Sequence, residues 1–196
     1  MTRILAFSDL HASAAVAARL VAAAETADLV VGAGDFCNLR QGLGEAMALL
    51  ASLAGKAVYV AGNAESVAEL RAATNALVLH GEAATLGGLT LFGLGYAVPT
   101  TPFGSWSCDL SEPAAAALLA AMTGVDILVT HSPPKGTADR ASSGLSLGST
   151  AIRAAIDAHQ PRYCLCGHIH DSWGQRGRIG ATEVINLGPE PVWIKL

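Results

Sequence analysis

Five short segments carry side chains that can bind metal: Asp9-Leu10-His11, Gly34-Asp35, Gly62-Asn63, His131 and Gly167-His168-Ile169-His170. Their polar groups are two aspartates, one asparagine and four histidines. Imidazole and carboxylate suit zinc, iron, manganese or nickel, and no thiolate is needed. Seven protein ligands are too many for one tetrahedral ion. They suit two ions that share a carboxylate and keep positions open for water and substrate. Two such ions acidify a bridging water to hydroxide near neutral pH, which suits hydrolysis of a phosphate ester. In an extended segment residues i and i+2 point to one side, so Asp9 with His11, and His168 with His170, are expected to project in pairs.

Taken singly, these segments say little, although G-H-x-H after a strand is the stronger of them. A D-x-H triplet recurs by chance, Gly-Asp and Gly-Asn are ordinary turn pairs, and His131 before Pro133 reads equally as a loop residue. The signal is the ordered set, which holds four of the six histidines. His80 and His159 fall outside it. His159 closes an expected helix, where the dipole favours a cationic ring.

The elements that must position these groups follow from hydrophobic periodicity. Arg3–Phe7, Asp28–Val31, Ala57–Ala61, Asp126–Thr130 and Tyr163–Cys166 read as strands. Helices are expected at Ala12–Glu25 (Val16, Leu20 and Ala24 on one face), around Leu43, Met47, Leu50 and Ala54, and at Ser66–Ala73, Pro113–Met122 and Ser149–His159. This alternation implies right-handed βαβ units and a largely parallel sheet. Gly87-Gly88 signals a hairpin. Tyr96–Leu110 and Pro133–Leu147 read as long loops, and the tail as strands Trp173–Ile179, Thr182–Asn186 and Pro191–Leu196. The fold class is α/β: two mixed sheets packed face to face with helices outside, and residues 1–196 as a single domain. Each metal-binding segment follows a strand, and ligands in α/β sheets gather at the carboxyl ends of strands.

Composition narrows the function. The net charge is -4 and no run of Lys and Arg occurs, so nucleic acid is not an expected partner. The uncharged stretch Ala83–Cys108 is broken by glycines and prolines and would not span a membrane. Met1–Phe7 is followed at once by Ser8, Asp9 and His11, leaving no room for a signal peptide, so the expected location is cytoplasmic. The four cysteines form no C-x-x-C pair and read as reduced structural thiols, with Cys164 and Cys166 sharing one face of a strand. The oligomeric state is left open.

In order and type the five segments resemble the calcineurin-like metallophosphoesterase superfamily, whose blocks read D-x-H, G-D, G-N-H-[DE], H and G-H-x-H. The resemblance runs from Asp9 to His170 and implies a four-layer αββα fold. It implies one metal site from Asp9, His11, Asp35 and His170, and a second from Asp35, Asn63, His131 and His168, with Asp35 bridging. It also implies catalytic roles for Asp35, Asn63 and His131. Weaker matches point to small prokaryotic phosphoesterases: Gly93-Leu94-Gly95, Pro99–Phe103, Thr130–Pro134, and Gly148-Ser149 with Arg153. The third block departs from the pattern, with Ala64 where the family usually has His, followed by Glu65. That His is thought to protonate the leaving group or steady the phosphate. Similar small phosphodiesterase-like relatives also replace it, so phosphodiesters are expected over monoesters. Lys135, Arg140 and Arg153 are candidate phosphate contacts, and Tyr96 and Trp106 candidate stacking groups for a base or aryl leaving group. The alternative is a catalytically weak or inactive scaffold for protein interaction, as in a retromer subunit of this fold that also lacks the third-block His.

Overall fold

The computed structural model describes residues 1–196. Its first sheet contains β1 (Arg3–Phe7), β2 (Leu29–Gly32), β3 (Ala57–Tyr59) and β4 (Leu77–Val78) in parallel order. The second contains β5 (Glu82–Leu86), β6 (Leu89–Leu94), β7 (Ile127–Thr130), β8 (Tyr163–Cys166), β9 (Arg176–Ile179) and β10 (Thr182–Asn186). Its order is β5-β6-β7-β8-β10-β9, with antiparallel strands at both edges. The last strand, β11 (Val192–Lys195), returns to pair antiparallel with β1.

Strand alternation produces the layers. In β1, Ile4 and Ala6 face the second sheet, while Leu5 and Phe7 face helices. In β8, Leu165 joins the cluster between the sheets, and Cys164 and Cys166 turn together to the opposite face. Apolar residues at both parities make the strand buried on both sides, as a sheet covered on two faces requires. The outer face of the first sheet is covered by α1 (Ala14–Ala24), α2 (Leu43–Leu49) and α3 (Val67–Ala73). That of the second is covered by α4 (Glu112–Leu119) and α5 (Thr150–His159). The result is the expected αββα order. No helix is long and apolar enough to cross a membrane.

Several boundaries shift for physical reasons. The first helix begins at Ala14, capped by the Ser13 hydroxyl, because His11 and Ala12 adopt left-handed backbone (φ 48° and 56°). The second expected helix stops at Leu49 and continues as a 3₁₀ turn over Ala51–Lys56. Leu50 and Leu53, three residues apart, are buried there instead of Ala54. Ser66 and Glu69 form a reciprocal capping box at the start of α3. Strand β4, only two residues long, gave no periodic signal. The strand expected from Trp173 begins only at Arg176, because Trp173 is drawn back over the site described next.

Candidate metal centre

All five segments lie past the carboxyl ends of strands. Asp9 and His11 follow β1, Asp35 follows β2, Asn63 follows β3, His131 follows β7, and His168 and His170 follow β8. Three come from one sheet and two from the other, so their side chains meet across the seam between the sheets. Backbone bonds tie the segments together: Asp9 N–H to the Gly34 carbonyl, His11 N–H to that of Asp35, and Gly167 N–H to that of His131. The pairing of Asp9 with His11 does not come from strand alternation, since both residues, and His168, are in the left-handed region (φ 54°, 48° and 66°). Tight turns, not extended chain, aim the groups. At Gly62 a Cβ would collide with the Asp35 carboxylate, and at Gly167 one would stand 2.5 Å from Asp9 Oδ2. Only glycine lets the backbone pass so close to both carboxylates.

The hydrogen bonds fix which ring nitrogens face inward. His131 Nδ1 lies 2.8 Å from the Ala33 carbonyl and His11 Nδ1 3.3 Å from that of Cys37. A carbonyl only accepts, so both Nδ1 atoms carry the proton and both Nε2 atoms present lone pairs. His131 Nε2 then faces Asn63 Oδ1 at 3.1 Å, and the Asn63 amide nitrogen points away to Ser107 Oγ, also at 3.1 Å. His11 Nε2 faces His170 Nε2 at 3.2 Å. At the first place two acceptors confront each other, and at the second two imidazole nitrogens meet. The Asp35 carboxylate lies between them, Oδ1 3.4 Å from His131 Nε2 and Oδ2 3.9 Å from His11 Nε2. His168 packs on His131 with ring centroids 4.9 Å apart. The donor atoms of Asp9, His11 and His170, and those of Asp9, Asp35 and His131, form two groups within 4.8 Å. Lone pairs aimed at lone pairs beside buried carboxylates are the chemistry that cations satisfy, and this donor set fits divalent metal.

Electrostatics agree. Asp35 is pushed up to about 7 by burial and by the Asp9 charge. Burial works against the Asp9 carboxylate too, but the bond to the His170 ring, the nearby His131 and the Ser8 hydroxyl outweigh it and hold it at about 2. Burial and the neighbouring His131 push His168 down to about 3, and the bond to Asp9 raises His170.

Three supporting residues were not among the site residues expected from the sequence. Glu65, fully buried, accepts N–H bonds from Asp35 (2.9 Å), Phe36 (3.1 Å), Cys37 (3.3 Å) and Gly62 (2.7 Å), binding the second and third segments to each other. Burial and Asp35 push it up to about 7. Trp173 donates its indole N–H to Asp9 Oδ2 at 3.1 Å and lays its ring 4.3 Å from that of His170. Asn186, buried, donates to the Gly167 and Ile169 carbonyls and holds the fifth segment. The candidate phosphate contacts lie elsewhere. Lys135 donates to the Ser146 carbonyl, Arg140 to that of Gly144, and Arg153 pairs with Asp157. None lines the cleft over the centre, because each is engaged by its own loop or helix. Tyr96 packs on His80 and accepts from Val67 N–H, whereas Trp106 does line the cleft. His159 ends α5, apart from the centre.

These shifts set a pH dependence for the metal-free chain. Asp35 and Glu65 keep protons in the fold that the unfolded chain releases near pH 4. Stability from this source is present below that value and is lost as pH rises through about 7. His170, raised, acts in the same sense, and His168 and His80, both lowered, oppose. Metal-stripped protein is therefore expected to lose stability from about pH 5 to about pH 8, and saturating manganese should reverse the trend. Urea denaturation across that window checks this; stability rising with pH in the stripped protein would contradict it.

The model of the calcineurin-like phosphoesterase superfamily domain matches residues 2–191. The chain belongs to that superfamily. A UPF0046 protein of Caenorhabditis elegans is 31% identical over 119 residues, a match covering 58% of this chain and 28% of that protein. The chain thus spans little more than a quarter of that relative. Among solved structures, TT1561 of Thermus thermophilus has a TM-score of 0.75 at 18% identity, over 95% of this chain and 89% of the other. A dimetal phosphatase from Danio rerio has a TM-score of 0.66 at 15% identity, over 96% and 88%. At these identities the structures establish the shared fold. Membership in a phosphoesterase superfamily supports hydrolysis of phosphate esters, and the acidic and imidazole groups above are its candidate metal ligands.

Proposed function

We propose that this chain is a metal-dependent phosphoesterase that hydrolyses diesters in preference to monoesters. Its ligands would be Asp9, His11, Asp35 and His170 for one divalent ion, and Asp35, Asn63, His131 and His168 for the other. The observation that carries the reading is the convergence of His131 with Asn63, two facing acceptors, and of His11 with His170, two imidazoles, on either side of one carboxylate. The neighbouring Danio rerio structure is itself described as a dimetal phosphatase. When bound, such ions supply hydroxide at neutral pH and neutralise charge on phosphoryl oxygens.

The chain's own residues prepare that chemistry. The Ala33 and Cys37 carbonyls fix the tautomers of His131 and His11. Ser107, which donates to Asp109 at 2.6 Å, turns the Asn63 amide so that its oxygen faces inward. The diester preference is supported by the cleft lining, which contains no Lys or Arg to meet the second charge of a monoester. Manganese, iron, zinc and nickel all suit the donor set. A panel of phosphate mono- and diesters assayed with each of these metals and magnesium tests the reading. Metal-dependent diesterase activity is expected, and its absence with every metal would overturn the proposal.

Trp173 offers a test confined to one ion. Trp173→Phe keeps the ring on His170 but removes the N–H from Asp9. Outer groups of this kind typically contribute about 10–100-fold to metal affinity. One manganese affinity should fall by about tenfold or more while the other is unchanged, as read by a two-site titration. Equal loss at both sites, or none, would contradict the assignment of Asp9 to a single ion.

A further inference from the structure

The structure assigns the cleft above the metal centre to a phosphodiester whose alcohol part is a flat, apolar ring, an assignment that rests on the phosphoesterase reading above. The cleft has a volume of about 440 Å³, within the range that holds a small organic ligand. Its floor is polar, with His11, Asp35 and Asn63, and its walls mix large apolar side chains with Thr100, Thr101 and Asp171. On one side Phe103 and Trp106 stack at 5.6 Å with planes 5° apart, and Phe103 is 50% exposed. Leu147 lines the cleft too, 44% exposed. Neither Phe103, Trp106 nor Leu147 belongs to any core cluster. Large apolar side chains left open around a polar floor mark a recognition surface.

The aromatic wall is held in place before any ligand arrives. Asp109 accepts from Thr101 N–H at 2.8 Å, Thr101 Oγ1 at 2.9 Å and Ser107 Oγ at 2.6 Å, closing the loop that carries both rings. A pre-placed wall costs little ordering on binding. A planar ring can stack offset or edge-on against it. Pro99, Pro102 and Leu147 beside it carry no side-chain donor or acceptor, and the Thr101 hydroxyl is engaged by Asp109, so Thr100 adds one hydroxyl to an otherwise apolar side of the cleft. No Lys or Arg lines the cleft, while Asp171 does, so a polyphosphate finds no cation there. The chemistry that remains is a singly charged diester bearing an aryl or similarly flat apolar group.

The test uses dibenzylphosphinate and dimethylphosphinate, diester mimics whose carbon–phosphorus bonds resist hydrolysis, titrated into the manganese-loaded protein by calorimetry. Dibenzylphosphinate should bind about tenfold tighter or more, the ratio that roughly 1.4 kcal/mol of ring contact gives. In the double variant Phe103→Ala, Trp106→Ala the ratio should fall to about two or less, with metal content and dimethylphosphinate affinity retained. Both side chains lie outside the core clusters, so the variant should fold. Equal binding of the two mimics would overturn the aromatic assignment and leave the phosphoesterase reading standing. A preference that survives in the double variant would also overturn it. Failure of both mimics to bind the loaded protein would remove the phosphoesterase reading and this assignment together.

Discussion

Asp35→Asn is expected to strip the protein of both metal ions and to reduce ester hydrolysis by about 10²–10³-fold or more, the scale on which losing one electrostatic element of a site is felt. The carboxylate is 5% exposed and directs one oxygen toward His131 and the other toward His11. Asparagine keeps the shape but removes the charge and turns one oxygen into a donor that cannot ligate. Both ion positions lose a ligand at once. Asn63→Ala provides the contrast, because the Asn63 amide oxygen faces His131 and not His11 or His170, and its loss should weaken one ion alone. Elemental analysis with hydrolysis rates for both variants reads the difference. Unchanged metal content in Asp35→Asn would sink the bridging assignment.

The second large effect concerns the leaving group. Every histidine lining the cleft is already proposed as a metal ligand, and its other carboxylate, Asp171, accepts from Ser142 N–H. Ala64 occupies the position where the superfamily pattern usually has His, and is buried between its N–H bond to Asp35 Oδ1 (2.8 Å) and its carbonyl bond from Arg40 N–H (3.0 Å). A positioned general acid contributes about 10²–10⁴-fold. Without one, the rate should fall steeply as leaving-group pKa rises, from substituted phenols to alkyl alcohols. p-Nitrophenyl diesters should be good substrates and alkyl diesters poor ones. Ala64→His should flatten the slope by accelerating the alkyl esters most, with metal content as the control that the ligands stay in place. A shallow slope in the native protein would mean that another group supplies the proton. No hydrolysis of any ester with both metals bound would favour the scaffold alternative.

Much of this was legible in the sequence, and what was not has a common cause. The strand–helix alternation and the double-sided apolar strands dictated the layers, because burial patterns are local. Cys164 and Cys166 sharing one face is an example. The ligand types were legible as a set, but not the turns that aim them, since left-handed backbone at Asp9, His11 and Asp35 leaves no periodic trace. Glu65 read as part of a motif, yet its role depends on backbone donors some thirty residues earlier. Trp173 read as strand, and its bond to Asp9 spans 164 residues. Lys135, Arg140 and Arg153 stood out by charge alone, and charge does not reveal that carbonyls and a carboxylate of their own segments hold them.

The most direct test is a count of ions. After saturation with manganese and removal of excess, elemental analysis should give two ions per chain. Anomalous scattering should place them on either side of Asp35, one within reach of His11 and His170 and the other of Asn63, His131 and His168. Binding should weaken in acid, as the imidazoles take up protons. At most one ion per chain, with the seven side chains directed elsewhere, would contradict a dinuclear centre.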